Sequence, residues 1–141
     1  MRAAINPYQE YRSNQVDTAD PKQLIIMLYD GAIKFLESAS ESISDFRQYE
    51  NVNRNILKSQ DIITELMLAL DMEKGEEIAQ NLFNLYAFMK SQLLDANVKK
   101  EKKPIDMVLK LLKELREAWH KVEATPKKSS PSEYKPFAAQ G

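Results

Sequence analysis

Apolar residues recur along the chain at spacings of three and four, and no long stretch alternates with period two. That pattern selects helix throughout. The first helix has a defined start: Asp20 is a good N-cap, Pro21 suits the first helical position, and Gln23 stands where a capping box wants Glu or Gln. From there Ile25, Leu28, Ala32, Phe35, Leu36, Ala39 and Ile43 share one face, and the helix should fade between Ile43 and Tyr49. A second helix is expected from about Asn51 to Leu70, with Val52, Ile56, Ile63, Leu66 and Leu70 inward. After a turn at 71–75 a third runs from about Glu76 to Asn97, with Ile78, Leu82, Leu85, Met89 and Leu93 on its core face. The run KKEKK at 99–103 reads as a loop, and Pro104 opens a fourth helix carrying Ile105, Val108, Leu109, Leu112, Leu115, Trp119 and Val122 inward.

Helices of about 20 residues joined by short loops place neighbours antiparallel. The expected fold is therefore all-α, an antiparallel up-down four-helix bundle over residues 20–123. Residues 1–19 form an N-terminal segment with a possible short helix around Pro7 to Val16. Residues 124–141, with three prolines, several serines and no periodicity, read as a disordered tail.

The pattern also leaves apolar residues over. Leu24 to Tyr29 contains no polar residue, although a surface helix normally keeps one polar face. Ile26 and Ile33 stack on one flank of the first helix; Leu24, Met27 and Gly31 form a patch on the other. Gly31 costs about 1 kcal/mol relative to alanine inside a helix, so it marks a place where another backbone comes close. On the second helix Leu57, Thr64 and Leu68 lie off the core face, and on the third Phe83, Ala87 and Leu94 do so. An antiparallel hairpin about the 71–75 turn brings Leu68 near Phe83, Thr64 near Phe83 and Ala87, and Leu57 near Leu94. The result is one apolar strip along an interhelical groove. Single surface leucines are common, but a register-matched strip on two neighbouring helices points to a partner, and an amphipathic helix lying in a groove is a recurring mode of recognition.

Composition narrows the choice further. The 141 residues suit one domain, and 43% hydrophobic residues suffice for a core. Twenty basic against twenty-one acidic side chains give no global attraction to nucleic acid or anionic membrane. The absence of cysteine excludes disulfides, thiolate metal sites and cysteine nucleophiles. MRAAINPYQEYRSNQ has no apolar h-region, and no apolar run reaches the 18 or so residues of a membrane span. The expectation is a cytoplasmic protein without direct membrane insertion.

The sequence carries little that points to catalytic or metal chemistry. The one histidine, His120, forms a Glu-x-x-His pair with Glu117, the spacing used by di-iron bundles. Such sites need two of these motifs with further carboxylates facing the core, and neither residue lies on the core face, so both read as solvated. No phosphate loop, nucleophile elbow or ligand cluster occurs, and the five arginines are scattered. The sequence therefore predicts no catalytic residues, no metal and no cofactor.

The run NPYQEYRSNQVDTADPKQLIIMLYDGAIKFL resembles the N-terminal signature of the flagellin-specific export chaperones, the flagellar protein S family. LDMEKGEEIAQNLFNLYAFM with the following LLDAN, and then LREAWHKV, match later blocks of that family in order, so the likeness covers roughly residues 5–122. The resemblance implies a cytoplasmic helical bundle that binds the C-terminal segment of flagellin, prevents premature polymerisation and hands its client to components of the flagellar export gate. It also implies that the N-terminal segment occupies part of the client groove when flagellin is absent. Tyr8 and Tyr11 match the positions of that plug, with Leu24, Met27 and Gly31 as its candidate seat; the alternative is that the two tyrosines cap the bundle permanently. The residues leave three rival functions open: a helical enzyme, a self-associating structural bundle, and a chaperone for another flagellar subunit.

Overall fold

The structure, a computed structural model, describes residues 20–122. The short N-terminal helix and the C-terminal tail expected above lie outside these residues. Among the described residues the fold has four helices: α1 (Pro21–Ser42), α2 (Tyr49–Leu68), α3 (Met72–Lys99) and α4 (Lys102–Lys121), with a 3-10 turn at Phe46–Gln48 between the first two. α1 packs on α2 and α4, and α3 packs on the same two helices from across the bundle, which gives an up-down four-helix bundle with α1 and α3 on one diagonal.

The helix ends follow the local chemistry. The Asp20 carboxylate accepts the Gln23 N–H at 2.7 Å with Pro21 at the first position. Asp71 caps α3 by accepting from the N–H groups of Glu73 and Lys74. α3 ends at Lys100, whose left-handed backbone (φ 54°) returns its N–H to the Ala96 carbonyl, so the KKEKK run contributes only Lys100 and Glu101 to the loop. Pro104 falls in the first turn of α4, where its missing N–H has no intrahelical partner to lose.

α1 is buried over most of its circumference. Ile25, Leu28, Ala32, Leu36, Ala39 and Ile43 face the core as expected, and Ile26, Tyr29 and Ile33 are buried as well. The reason is that α1 is clasped from two sides. Toward α4, Lys22 Nζ donates to the Val122 carbonyl, Arg116 pairs with Asp30 at 2.9 Å, Lys113 with Glu37 at 3.1 Å, and Ser40 Oγ donates to Asp106. Partial burial pushes the Asp106 carboxyl up, but Ser40, Lys102 and Lys113 outweigh it and hold the group below its ordinary value. Toward α2, the Lys58 ammonium lies 5.3 Å from the centre of the Phe35 ring. Leu24, Met27 and Gly31 continue that same flank, and Gly31 is buried there.

The structure corrects the inward face of α3. Its buried column is Ala79, Leu82, Tyr86, Met89, Leu93 and Ala96, whereas Ile78 is 46% exposed and Leu85 only partly buried. Tyr86 turns inward because its hydroxyl meets that of Tyr29 at 2.5 Å across the α1–α3 diagonal, with the Trp119 indole as a second partner of Tyr29. On α2, Ser59 and Ile62 join the expected core residues; on α4 the expected core holds, with Leu115 and Val122 partly buried.

Burial is the main cause that raises the Tyr29 hydroxyl from its ordinary 10 to about 12, and it raises Tyr86 well above 10, with the Tyr29 charge adding to it. In unfolded chains both lose protons near pH 10, so the native state holds protons that the unfolded state has released. Their contribution is therefore complete below pH 10 and is lost as the pH rises through about 12. Thermal melts followed by circular dichroism should show stability falling above pH 10, and falling less steeply in the Tyr29→Phe/Tyr86→Phe double variant.

Candidate apolar groove between α2 and α3

The seam between α2 and α3 is fixed by polar contacts. Asn97 Nδ2 donates to Asn53 Oδ1 at 2.6 Å, Gln60 Nε2 donates to the Lys90 carbonyl at 3.2 Å, and Lys90 Nζ donates to Thr64 Oγ1. This register sets Leu57 level with Leu94 and Leu68 level with Phe83, the pairing that periodicity had suggested. On the outer side of the seam these apolar side chains face solvent: Leu57 is 48% exposed, Leu68 71%, Phe83 37% and Leu94 59%. Ala87 is exposed and Thr64 partly buried between them. The structure therefore brings all six predicted groove residues onto one strip.

Sequence reasoning missed the polar floor of this strip. Asn53, Gln60, Lys90 and Asn97 occupy the same helical columns as the apolar residues, at spacings of three and four, but a search for apolar positions passes over them. It also missed the extension toward the other end of the bundle, where Val98 is exposed and Lys100 lies 5.3 Å from the Tyr49 ring centre. The spacing of Val98, four residues past Leu94, was available as a signal.

The second predicted set is arranged differently. Tyr8 and Tyr11 lie outside the described residues. Leu24 and Met27 are partly buried and Gly31 fully so, on the flank of α1 that faces α2. α2 therefore stands between this patch and the strip. Glu117 and His120 are both exposed, with Glu117 4.0 Å from Lys121. Among the described residues no group of three or more His, Cys, Asp or Glu side chains could hold a metal ion, and no helix is long and apolar enough to cross a membrane.

The chain matches the family described as flagellar protein FliS over residues 4–126. It belongs to that family. Similar relatives include the flagellar secretion chaperone FliS of Bacillus subtilis, 34% identical over 117 residues, which covers 83% of this chain and 86% of the relative. That of Salmonella typhimurium is 39% identical, with 81% and 83% covered. A crystal structure of a flagellar chaperone from bacteria shares the fold with a TM-score of 0.66 at 25% identity, covering 80% of this chain and 91% of that one. Family membership carries the chaperone and flagellum-assembly reading of the chain.

The strip ends at the α2–α3 corner on a strained residue. Glu76 has φ 48° and ψ −123°, a combination that a side chain disfavours and glycine accepts, and it breaks α3 one residue after the buried Gly75. Such positions cost of order 1–3 kcal/mol. Glu76→Gly relieves that cost and gives back part of it by loosening the unfolded chain. Urea unfolding should show the variant more stable by about 1 kcal/mol.

Proposed function

We propose that this protein is a cytoplasmic export chaperone that binds the C-terminal helical segment of flagellin along the α2–α3 strip, keeps the subunit from polymerising early, and presents it to the flagellar export gate. The observation that carries the reading is the uncovered apolar strip itself. A bundle whose α1 is clasped on two sides has no folding need for exposed Leu57, Leu68, Phe83 and Leu94 in register. Contiguous apolar surface of that kind marks a partner site, and its straight, two-walled shape suits an amphipathic helix. An unassembled flagellin end presents such a helix, because the surface it uses for subunit packing is apolar. The family's name for its members as secretion chaperones supports the same assignment.

The decisive experiment is titration calorimetry of the full chain with a flagellin fragment holding its last ~50 residues. A disordered segment that folds on binding buries on the order of 1,000–3,000 Å² and gives a strongly negative heat-capacity change. Tight one-to-one binding with that signature is expected. Phe83→Asp and Leu94→Asp should abolish it while helical content stays normal, since an unpaired carboxylate in a buried contact is strongly unfavourable. Normal binding by both variants would place the client elsewhere.

The N-terminal plug is a separate element of the proposal. Because α2 lies between its candidate seat and the strip, a plug at Leu24 and Met27 competes only with a client long enough to reach across α2. Removing residues 1–15 should leave the bundle folded and tighten binding of the long fragment, by the fraction of molecules the plug had closed. Unchanged or weaker binding would identify the segment as a permanent cap.

A further inference from the structure

The two helical columns that wall the strip run through Asn53, Leu57, Gln60, Thr64 and Leu68 on α2, and through Phe83, Ala87, Lys90, Leu94 and Asn97 on α3. Lys90 is the only charged side chain among them. It is partly buried, it donates to the Thr64 hydroxyl, and no carboxylate of the described residues pairs with it. The Gln60 amide holds its backbone carbonyl in place, so the base of this side chain is fixed at the midpoint of the groove.

An ammonium group has three N–H donors, and Thr64 accepts one. Water serves the others while the groove is open. A helix laid along the strip removes that water, and a desolvated cation without a counter-charge is strongly unfavourable. A purely apolar helix therefore meets a penalty at the centre of the groove, whereas a helix with a carboxylate at that level restores the lost bonds as charge-assisted ones.

We infer that the strip is specific for an amphipathic helix carrying one Asp or Glu on its buried face, opposite Lys90. The spacing of the groove sets the spacing of the motif. Leu94 stands one turn from Lys90 and Phe83 two turns the other way, so the client carboxylate is flanked by apolar residues three or four positions away on one side and about seven on the other. This rests on the proposed groove and deepens it by assigning the determinant of register.

The test titrates the same C-terminal flagellin fragment into the full chain and its Lys90 variants, at roughly 50 and 300 mM salt, where screening of a partly exposed pair differs strongly. Lys90→Met should weaken binding about tenfold or more at low salt and flatten the salt dependence, while Lys90→Arg keeps both near the parent. Lys90→Gln, which retains a donor for Thr64, should behave as the methionine variant does, and unchanged melting temperatures separate lost contact from lost fold. In a scan of the fragment, one Asp→Asn or Glu→Gln change should cost as much as Lys90→Met and add nothing to it, the mark of a direct pair. Parental affinity and salt dependence in Lys90→Met, with Phe83→Asp still abolishing binding, would overturn the carboxylate and leave the groove. Parental binding by Phe83→Asp as well would overturn both.

Discussion

The rotational setting of the bundle depends on one buried hydrogen bond. Tyr29 and Tyr86 come from diagonal helices that share no extensive packing of their own, and their hydroxyls meet near the bundle axis. Two buried hydroxyls are costly apart and tolerable together, so α3 must turn until Tyr86 points at Tyr29. That setting places Ala79 and Ala96 in the core, where small residues let α3 approach its neighbours, and directs Ile78 outward. It also carries Phe83, Ala87 and Leu94 to the flank beside α2, which creates one wall of the groove. A core interaction thus fixes the geometry of a surface site.

The unusual apolarity of α1 has a complementary explanation. A helix in a square bundle ordinarily buries one face, but α1 has ion pairs and hydrogen bonds along its α4 side and close packing along its α2 side. Gly31 belongs to the second of these contacts: in helical conformation and fully buried, it serves as a gap for the neighbouring helix. Most of the surplus that stands out in PKQLIIMLYDGAIKFL is structural. Leu24 and Met27, on the flank of α1 beside α2, stay partly buried.

How far the sequence revealed this differs from helix to helix. The inward faces of α1, α2 and α4 were legible because most of their apolar residues recur on the face that is buried, so periodicity alone finds it. On α3 the two disagree. Ile78 and Leu85 are more apolar than Tyr86 or Ala79, yet the latter go inward, because a hydrogen-bond partner 57 positions away decides the matter. No local pattern encodes that partner. The strained backbone at Glu76 was invisible for a related reason: the turn was expected over 71–75, but the residue with positive φ is the one after it. Leu57, Leu68, Phe83, Ala87 and Leu94 stood out in the sequence as apolar leftovers from the core count, and their expected register followed from the hairpin. Lys90 did not, since a lysine on a helix surface ordinarily means solvation, and only the lack of a paired carboxylate among the described residues sets it apart.

That absence bears on how an apolar surface can be left open without capturing every exposed hydrophobic segment. Burial of apolar area alone discriminates poorly, because any amphipathic helix supplies it. Specificity arises from the difference between partners, and a feature that penalises wrong ones is as effective as one that rewards the right one. Lys90 sits where it can do both. Water satisfies it in the open groove, an unmatched helix strips that water away, and a helix with an acceptor in the correct register replaces it. The polar floor formed by Asn53, Gln60, Thr64 and Asn97 holds α2 and α3 at a fixed spacing, so a poorly matched client cannot relieve the penalty by spreading the groove. On the proposed reading of the groove, a charged residue that weakens the strip as a generic sticky surface is what would let it act as a selective one.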